Sequence, residues 1–121
     1  MKAVMDTNVL VSALFWRGAP FRCLLAAKAG LYDLVFSEEI LVELKRVLVE
    51  KFRLSNDEAE ESLSFIRELG QAVKVTEKLR AVAKDPDDDK FLEAAVSAGA
   101  EIVVTGDRHL LELHQSRTFR S

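Results

Sequence analysis

The sequence predicts an α/β domain built around a central parallel sheet, and three observations predict it. Lys2-Ala3-Val4-Met5 is an apolar run of strand length that ends at Asp6 and passes at once into helical apolar spacing from Val9 onward. Compact apolar segments of strand length recur over 32–36 and 101–104, with segments of helical period between them. Acids also fall where these strands give way to helices, and in an open α/β sheet the carboxyl ends of the strands are where ligands bind.

The elements follow in order. Thr7 reads as the cap of a helix reaching about Phe15, and Arg17-Gly18-Ala19-Pro20 breaks it. Pro20 suits the first turn of a second helix over 21–29, which Gly30 ends. After the strand over 32–36, Ser37 reads as an N-cap, with Glu38 and Glu39 in the first turn where the helix macrodipole favours acids. The helix to about Phe52 carries its apolar stripe on Ile40, Leu41, Leu44, Val47, Leu48 and Phe52. Ser55-Asn56-Asp57 starts a fourth helix with Ala59, Leu63, Ile66 and Leu69 on one face, and Gly70 closes it. A strand is expected over 72–75. The loop Lys84-Asp85-Pro86-Asp87-Asp88-Asp89 opens a fifth helix ending near Gly99, and a last short helix follows Thr105-Gly106-Asp107.

With 121 residues and 49% hydrophobic content, the chain is expected to form one domain with a sizeable core. No apolar stretch reaches the ~18 residues of a membrane span, and the opening residues lack the pattern of a signal peptide. The single cysteine, Cys23, has no partner for an internal disulfide and reads as a buried thiol among apolar neighbours. Together these features lead us to expect a cytoplasmic protein. A net charge of −3 argues against a broad basic face for non-specific nucleic-acid binding. Any contact with nucleic acid is therefore local or carried by bound metal.

Four acids stand out by position. Asp6 ends the first strand, Asp88 opens the fifth helix and Asp107 follows the last strand. Glu43 lies at the border of the third helix's apolar stripe, one turn from Ile40 and Val47, whereas Glu38, Glu39 and Glu50 sit farther from it. Asp88 precedes Phe91, Leu92 and Ala95 by three, four and seven residues and so shares their core-facing side. Inward-facing acids in such numbers need a cation, and hard divalent ions with oxygen ligands, Mg²⁺ or Mn²⁺, meet that need. Each residue alone has an ordinary structural reading. Asp88 and Asp107 can be helix caps, Glu43 a surface acid, Thr7 and Thr105 caps or orienting hydroxyls, and Asn8 either a brace for the Asp6 turn or part of the helix start. His109 and His114, with no cysteine partner, read as surface residues and not as a zinc site.

Four segments of the chain resemble the motifs of the PIN-domain nucleases, and among them the stand-alone prokaryotic toxins of toxin–antitoxin pairs (VapC-like). These are Met5-Asp6-Thr7-Asn8-Val9-Leu10-Val11-Ser12-Ala13, Ser37-Glu38-Glu39-Ile40-Leu41-Val42-Glu43-Leu44, the block from Asp85 to Ala95, and Ile102-Val103-Val104-Thr105-Gly106-Asp107 with the residues to Leu111. They occur in the family's order. The resemblance implies a three-layer α/β/α domain over residues 1–121. It also implies an acidic pocket of Asp6, Glu43, Asp88 and Asp107 that binds Mg²⁺ or Mn²⁺ and is shaped by Asn8 and Thr105. The implied activity is metal-dependent hydrolysis of RNA phosphodiesters. The implied partners are RNA, a cognate antitoxin that blocks the site and a second copy in a homodimer, with no membrane. Two features depart from the family pattern. Residues 115–121 form a polar tail where relatives have a further strand, and Asp89 stands where relatives often carry Asn.

Arg17, Arg22, Lys45, Arg46 and Lys90 are candidates to hold a phosphate backbone. Two other readings compete with the nuclease. A phospho-accepting α/β domain also sets an Asp at a strand end beside Mg²⁺, but a phosphatase of that kind needs a second Asp where the chain has Asn8, and a receiver needs an acidic pair where Asp6 stands alone. A binding module without turnover would have no use for inward-facing acids.

Overall fold

The computed structural model describes residues 1–16, 18–76, 89–100 and 102–104. Four strands form one sheet in the order β3-β2-β1-β4, with every neighbouring pair parallel. The central strand is β1 (Lys2–Met5), where Val4 is opposite Val35 of β2 (Asp33–Phe36) on one side and Val103 of β4 (Ile102–Val104) on the other. Ala3, Val4 and Met5 are all buried, as expected for a strand covered on both faces.

Parallel neighbours require crossovers, and helices supply them. Between β1 and β2 run α1 (Thr7–Phe15) and α2 (Ala19–Lys28); between β2 and β3 (Gln71–Ala72) run α3 (Glu38–Glu50) and α4 (Asn56–Leu69); α5 (Asp89–Ala98) leads into β4. α5 packs on β1, β2 and β4, while α1 packs on α2 and α3, and α3 on α4. The apolar stripes read from the sequence form one core, with Ile40, Leu41, Leu44, Val47 and Leu48 from α3, Ala59, Leu63 and Ile66 from α4, and Phe91, Leu92, Ala94 and Ala95 from α5. Ser37 caps α3 as expected, and Ser55 with Glu58 completes a reciprocal capping box at the start of α4.

Several boundaries differ from the sequence reading. β3 begins directly after the Gly70 cap, at Gln71, and spans two exposed residues of an edge strand; Val73 adds one more bond, its N–H donating to the Phe36 carbonyl at 2.8 Å. Gly70 lies so close to β2 that a Cβ there would sit 2.7 Å from the Leu34 carbonyl oxygen. Phe52 does not extend the α3 stripe. α3 ends at Glu50, and the chain turns through Arg53, whose φ of 57° lies in the left-handed region. Cys23 is partly buried and packs against the core edge. Among the described residues, no single helix is long and apolar enough to cross a membrane. The expected last helix and the tail over 115–121 lie outside the described residues.

This strand order positions the site. From β1 the chain moves outward through β2 to β3, then returns to place β4 on the other side of β1. The direction of winding reverses between β1 and β4, and that switch point is where open α/β sheets form a crevice. The residue leaving the carboxyl end of β1 is Asp6.

Candidate functional site at the carboxyl edge of the sheet

Asp6 is 4% exposed and serves as the N-cap of α1. Its backbone is extended, and its Oδ1 accepts a hydrogen bond from the Val9 N–H at 2.8 Å. The expectation that Thr7 caps this helix is corrected. The cap must have non-helical dihedrals, and Thr7 is already the first helical residue. Its hydroxyl is thereby released for another task, donating to Oε2 of Glu43. Asn8 is exposed and, among the described residues, its side chain makes no hydrogen bond, so the turn after Asp6 is braced by the Val9 amide and not by Asn8.

Glu43 reaches the same place from α3. Helices that follow β1 and β2 start at the carboxyl edge of the sheet, and Glu43 lies within the second turn of α3, on the side facing α1. Its side chain is 17% exposed. Glu38, one turn earlier, points instead to α4, where Arg67 clamps it with bonds of 2.7 and 3.1 Å that hold its carboxyl below the usual range. The border of the apolar stripe did distinguish Glu43 from its neighbours on the helix.

A cation already meets Glu43. Lys90, in the first turn of α5, donates from Nζ to Oε1 at 3.0 Å and is itself 16% exposed. Arg46 stands farther off, at 3.9 Å from the same oxygen. Lys90 had been expected among the phosphate-binding residues, but the structure commits it to an acid of the site. The signal was available in the topology: α5 runs back against the strands to enter β4, so its first turn belongs to the carboxyl edge. Lys45 is likewise engaged, with Glu60 at 2.6 Å. Arg22 is exposed, and Arg17 lies outside the described residues. Glu93 on α5 is a buried acid that the sequence reading did not single out.

Asp6 and Glu43 are thus brought to one edge of the sheet, joined through Thr7. Asp88, Asp107 and Thr105 lie outside the described residues. Among the described residues no group of three or more Asp, Glu, His or Cys side chains converges to hold a metal ion. The donor chemistry of the pair nevertheless fits a hard divalent cation: oxygen ligands only, one buried at a strand end and one half-buried beside it. A groove at the ends of β2 and β3, lined by Ser37, Glu38, Glu39 and the segment from Ala72 to Val75, includes neither acid.

The family comparison agrees with this geometry. The model of the PIN domain matches residues 2–109, which spans all the described elements and all four acids. PIN domains are generally nucleases that use divalent metals. No curated protein matches the chain. With a buried acid at the switch point of a parallel sheet and a family match over most of its length, the chain belongs to the PIN-domain family.

Proposed function

We propose that the protein is a divalent-metal-dependent endoribonuclease that hydrolyses RNA phosphodiesters, acting as the toxin of a toxin–antitoxin pair. The observation that carries this reading is the convergence of Asp6 and Glu43 at the switch point of a PIN-domain chain. Asp6, Glu43, Asp88 and Asp107 would hold Mg²⁺ or Mn²⁺, with Asn8 and Thr105 at its margin. Such an ion, when bound, activates water for in-line attack and offsets charge developing on the phosphate.

The chain's own residues prepare that site. The cap bond from Val9 fixes the Asp6 carboxylate in one orientation. Thr7 fixes one oxygen of Glu43, and Lys90 balances its charge while no divalent ion is present. No side chain is required as a covalent nucleophile. The acidic chain predicts weak RNA binding with a shallow dependence on salt. A cytoplasmic location, a homodimer and a cognate antitoxin belong to the same proposal.

The test is cleavage of a mixed single-stranded RNA pool in Mn²⁺, Mg²⁺ or EDTA by wild type and Asp6→Asn. Metal-dependent cutting that is lost in the variant supports the reading; equal cutting by both defeats the site, and no cutting by either favours a binding module. A gene for a small DNA-binding protein next to this one would favour a toxin over an RNA-processing enzyme.

A further inference from the structure

Three aromatic rings gather at the far ends of the two helices that build the site. Phe15 ends α1, Trp16 follows it, and Phe52 lies in the turn after α3. Phe15 and Phe52 are stacked, with centroids 4.8 Å apart at 21°, while Trp16 meets Phe15 at 5.8 Å and Phe52 edge-on at 6.4 Å. This contact staples α1 to α3, but it leaves much of the rings in water: Phe15 is 40%, Phe52 38% and Trp16 57% exposed. Leu25, Leu31 and Val42 are exposed as well, but only here do three large aromatic side chains touch one another in a single exposed patch among the described residues.

The charges next to Phe52 are two cations, with the exposed Glu50 one residue further back. Lys51 and Arg53 flank Phe52, both are exposed, and neither forms an ion pair among the described residues. They contrast with Lys45, Arg46, Arg67 and Lys90, each of which faces an acid. Cations without an acid partner among the described residues, beside exposed aromatic rings, suit a strand that presents phosphates and unpaired bases, and they supply the local contact that an acidic chain needs. The geometry also connects this patch to the acids. α1 and α3 touch at Thr7–Glu43 and again at Phe15–Phe52, so they run side by side in one direction. The patch lies about 12 Å along α1 from Thr7, a separation that a short run of single-stranded nucleotides bridges.

We propose that Phe15, Trp16 and Phe52, with Lys51 and Arg53, form a stacking platform for an unpaired base of single-stranded RNA lying close to the phosphate at the acidic site. This rests on the ribonuclease reading above and adds where the substrate is gripped.

Trp16 is the chain's single tryptophan, so its emission reports on this patch alone. The protein in EDTA is titrated with a fluorescein-labelled oligouridylate and with an abasic ribose-phosphate oligomer of equal length, following anisotropy and tryptophan emission together. Saturable quenching by the oligouridylate and none by the abasic oligomer is expected. Trp16→Ala should weaken binding by about 5- to 100-fold, the range of a lost base–aromatic stack, while Trp16→Phe stays within about 3-fold. Circular dichroism checks that both variants are folded. Binding that leaves tryptophan emission unchanged and is equally tight in Trp16→Ala would overturn the platform while leaving the nuclease reading intact. A dimer in sedimentation that Trp16→Ala dissolves, with RNA binding unaltered, would assign the patch to a second copy instead. Absence of binding together with absence of cleavage in Mn²⁺ would remove the nuclease reading and the platform with it.

Discussion

Asp6 has two jobs that a pair of substitutions can separate. As the N-cap of α1 it accepts the Val9 N–H at 2.8 Å, and as a carboxylate it supplies charge to the site. Asparagine caps a helix about as well as aspartate, so Asp6→Asn keeps the bond and discards the charge. Its unfolding free energy in EDTA should stay within about 0.5 kcal/mol of wild type, because the cap bond to Val9 is kept. Asp6→Ala discards both. It loses the cap, worth about 1 kcal/mol, and strands an amide on Val9, itself buried, so a total of about 1–2 kcal/mol is expected. In a domain of this size that lowers the melting temperature by roughly 3–10 °C. Urea unfolding in EDTA measures the first effect, and RNA cleavage in Mn²⁺ the second, where both variants should be inactive. The reasoning fails if Asp6→Asn is as unstable as Asp6→Ala, or if it cleaves like wild type.

Lys90→Met takes the nearer cation from the largely buried Glu43 and leaves only the exposed Arg46 at 3.9 Å, so in EDTA it should cost about 1–2 kcal/mol; Mn²⁺ should recover more stability in this variant than in wild type, read from paired melting curves. Equal recovery would show that Lys90 and the divalent ion do not share Glu43. Tyr32, the single tyrosine, donates its hydroxyl to the Cys23 carbonyl at 2.6 Å, and burial, with the Cys23 thiol nearby, pushes its pKa up to about 12. A raised pKa means the folded state holds the proton more tightly. The stability it contributes is complete below the ordinary value near 10 and is lost as pH rises through about 12. Phenolate absorbance should therefore rise with a midpoint near 12 in the folded protein; a midpoint near 10 with the fold intact would contradict this. Gly70→Ala places a Cβ 2.7 Å from a backbone oxygen of β2 and 2.9 Å from the Phe36 ring, so chemical denaturation should show a loss of about 1–3 kcal/mol.

Much of this arrangement was legible in the chain because it is local. Asp6 ends an apolar run of strand length, Ser37 precedes two acids and a 3.6-residue stripe, and Ser55 stands three residues before Glu58. Each signal lies within a turn or two of the element it specifies. Glu43 was legible for the same reason, as the acid nearest the apolar border of α3. What the sequence concealed is non-local. Periodicity places Lys90 on a helix, and a parallel sheet brings the start of that helix to the carboxyl edge, but neither shows that the side chain meets Glu43, so a cation committed to an acid read as one available for phosphate. Thr7 read as either a cap or an orienting hydroxyl because a threonine and an aspartate side by side are both good caps, and only the backbone dihedrals decide between them. Phe52 continues the spacing of the α3 stripe, but the helix ends at Glu50 and the turn after it sets the ring on Phe15 and not in the core.

The pairing of Glu43 with Lys90 is hard to explain as a device for folding. Asp6 would be retained as a cap even if the protein bound nothing, but no helix end or turn needs Glu43. It lies where α1, α3 and α5 meet, a place that apolar side chains fill without desolvating a charge. Replacing a largely buried ion pair by apolar residues of similar volume is often neutral or stabilising by about 1–4 kcal/mol, whereas removing one partner is costly. The combined variant Thr7→Val, Glu43→Leu, Lys90→Met removes the hydroxyl, the carboxylate and the ammonium together, so that none of the three is left without the other two. Arg46, which is exposed, returns to water. This variant should unfold in EDTA at a urea concentration equal to or above that of wild type, while single Glu43→Leu unfolds below it. It should also gain no stability from Mn²⁺ and cleave no RNA. A combined variant markedly less stable than wild type would mean that the ion pair specifies the packing of the three helices. Greater stability with lost cleavage would mean that the chain keeps two charges at a helix junction, against its own stability, for the chemistry at the sheet edge.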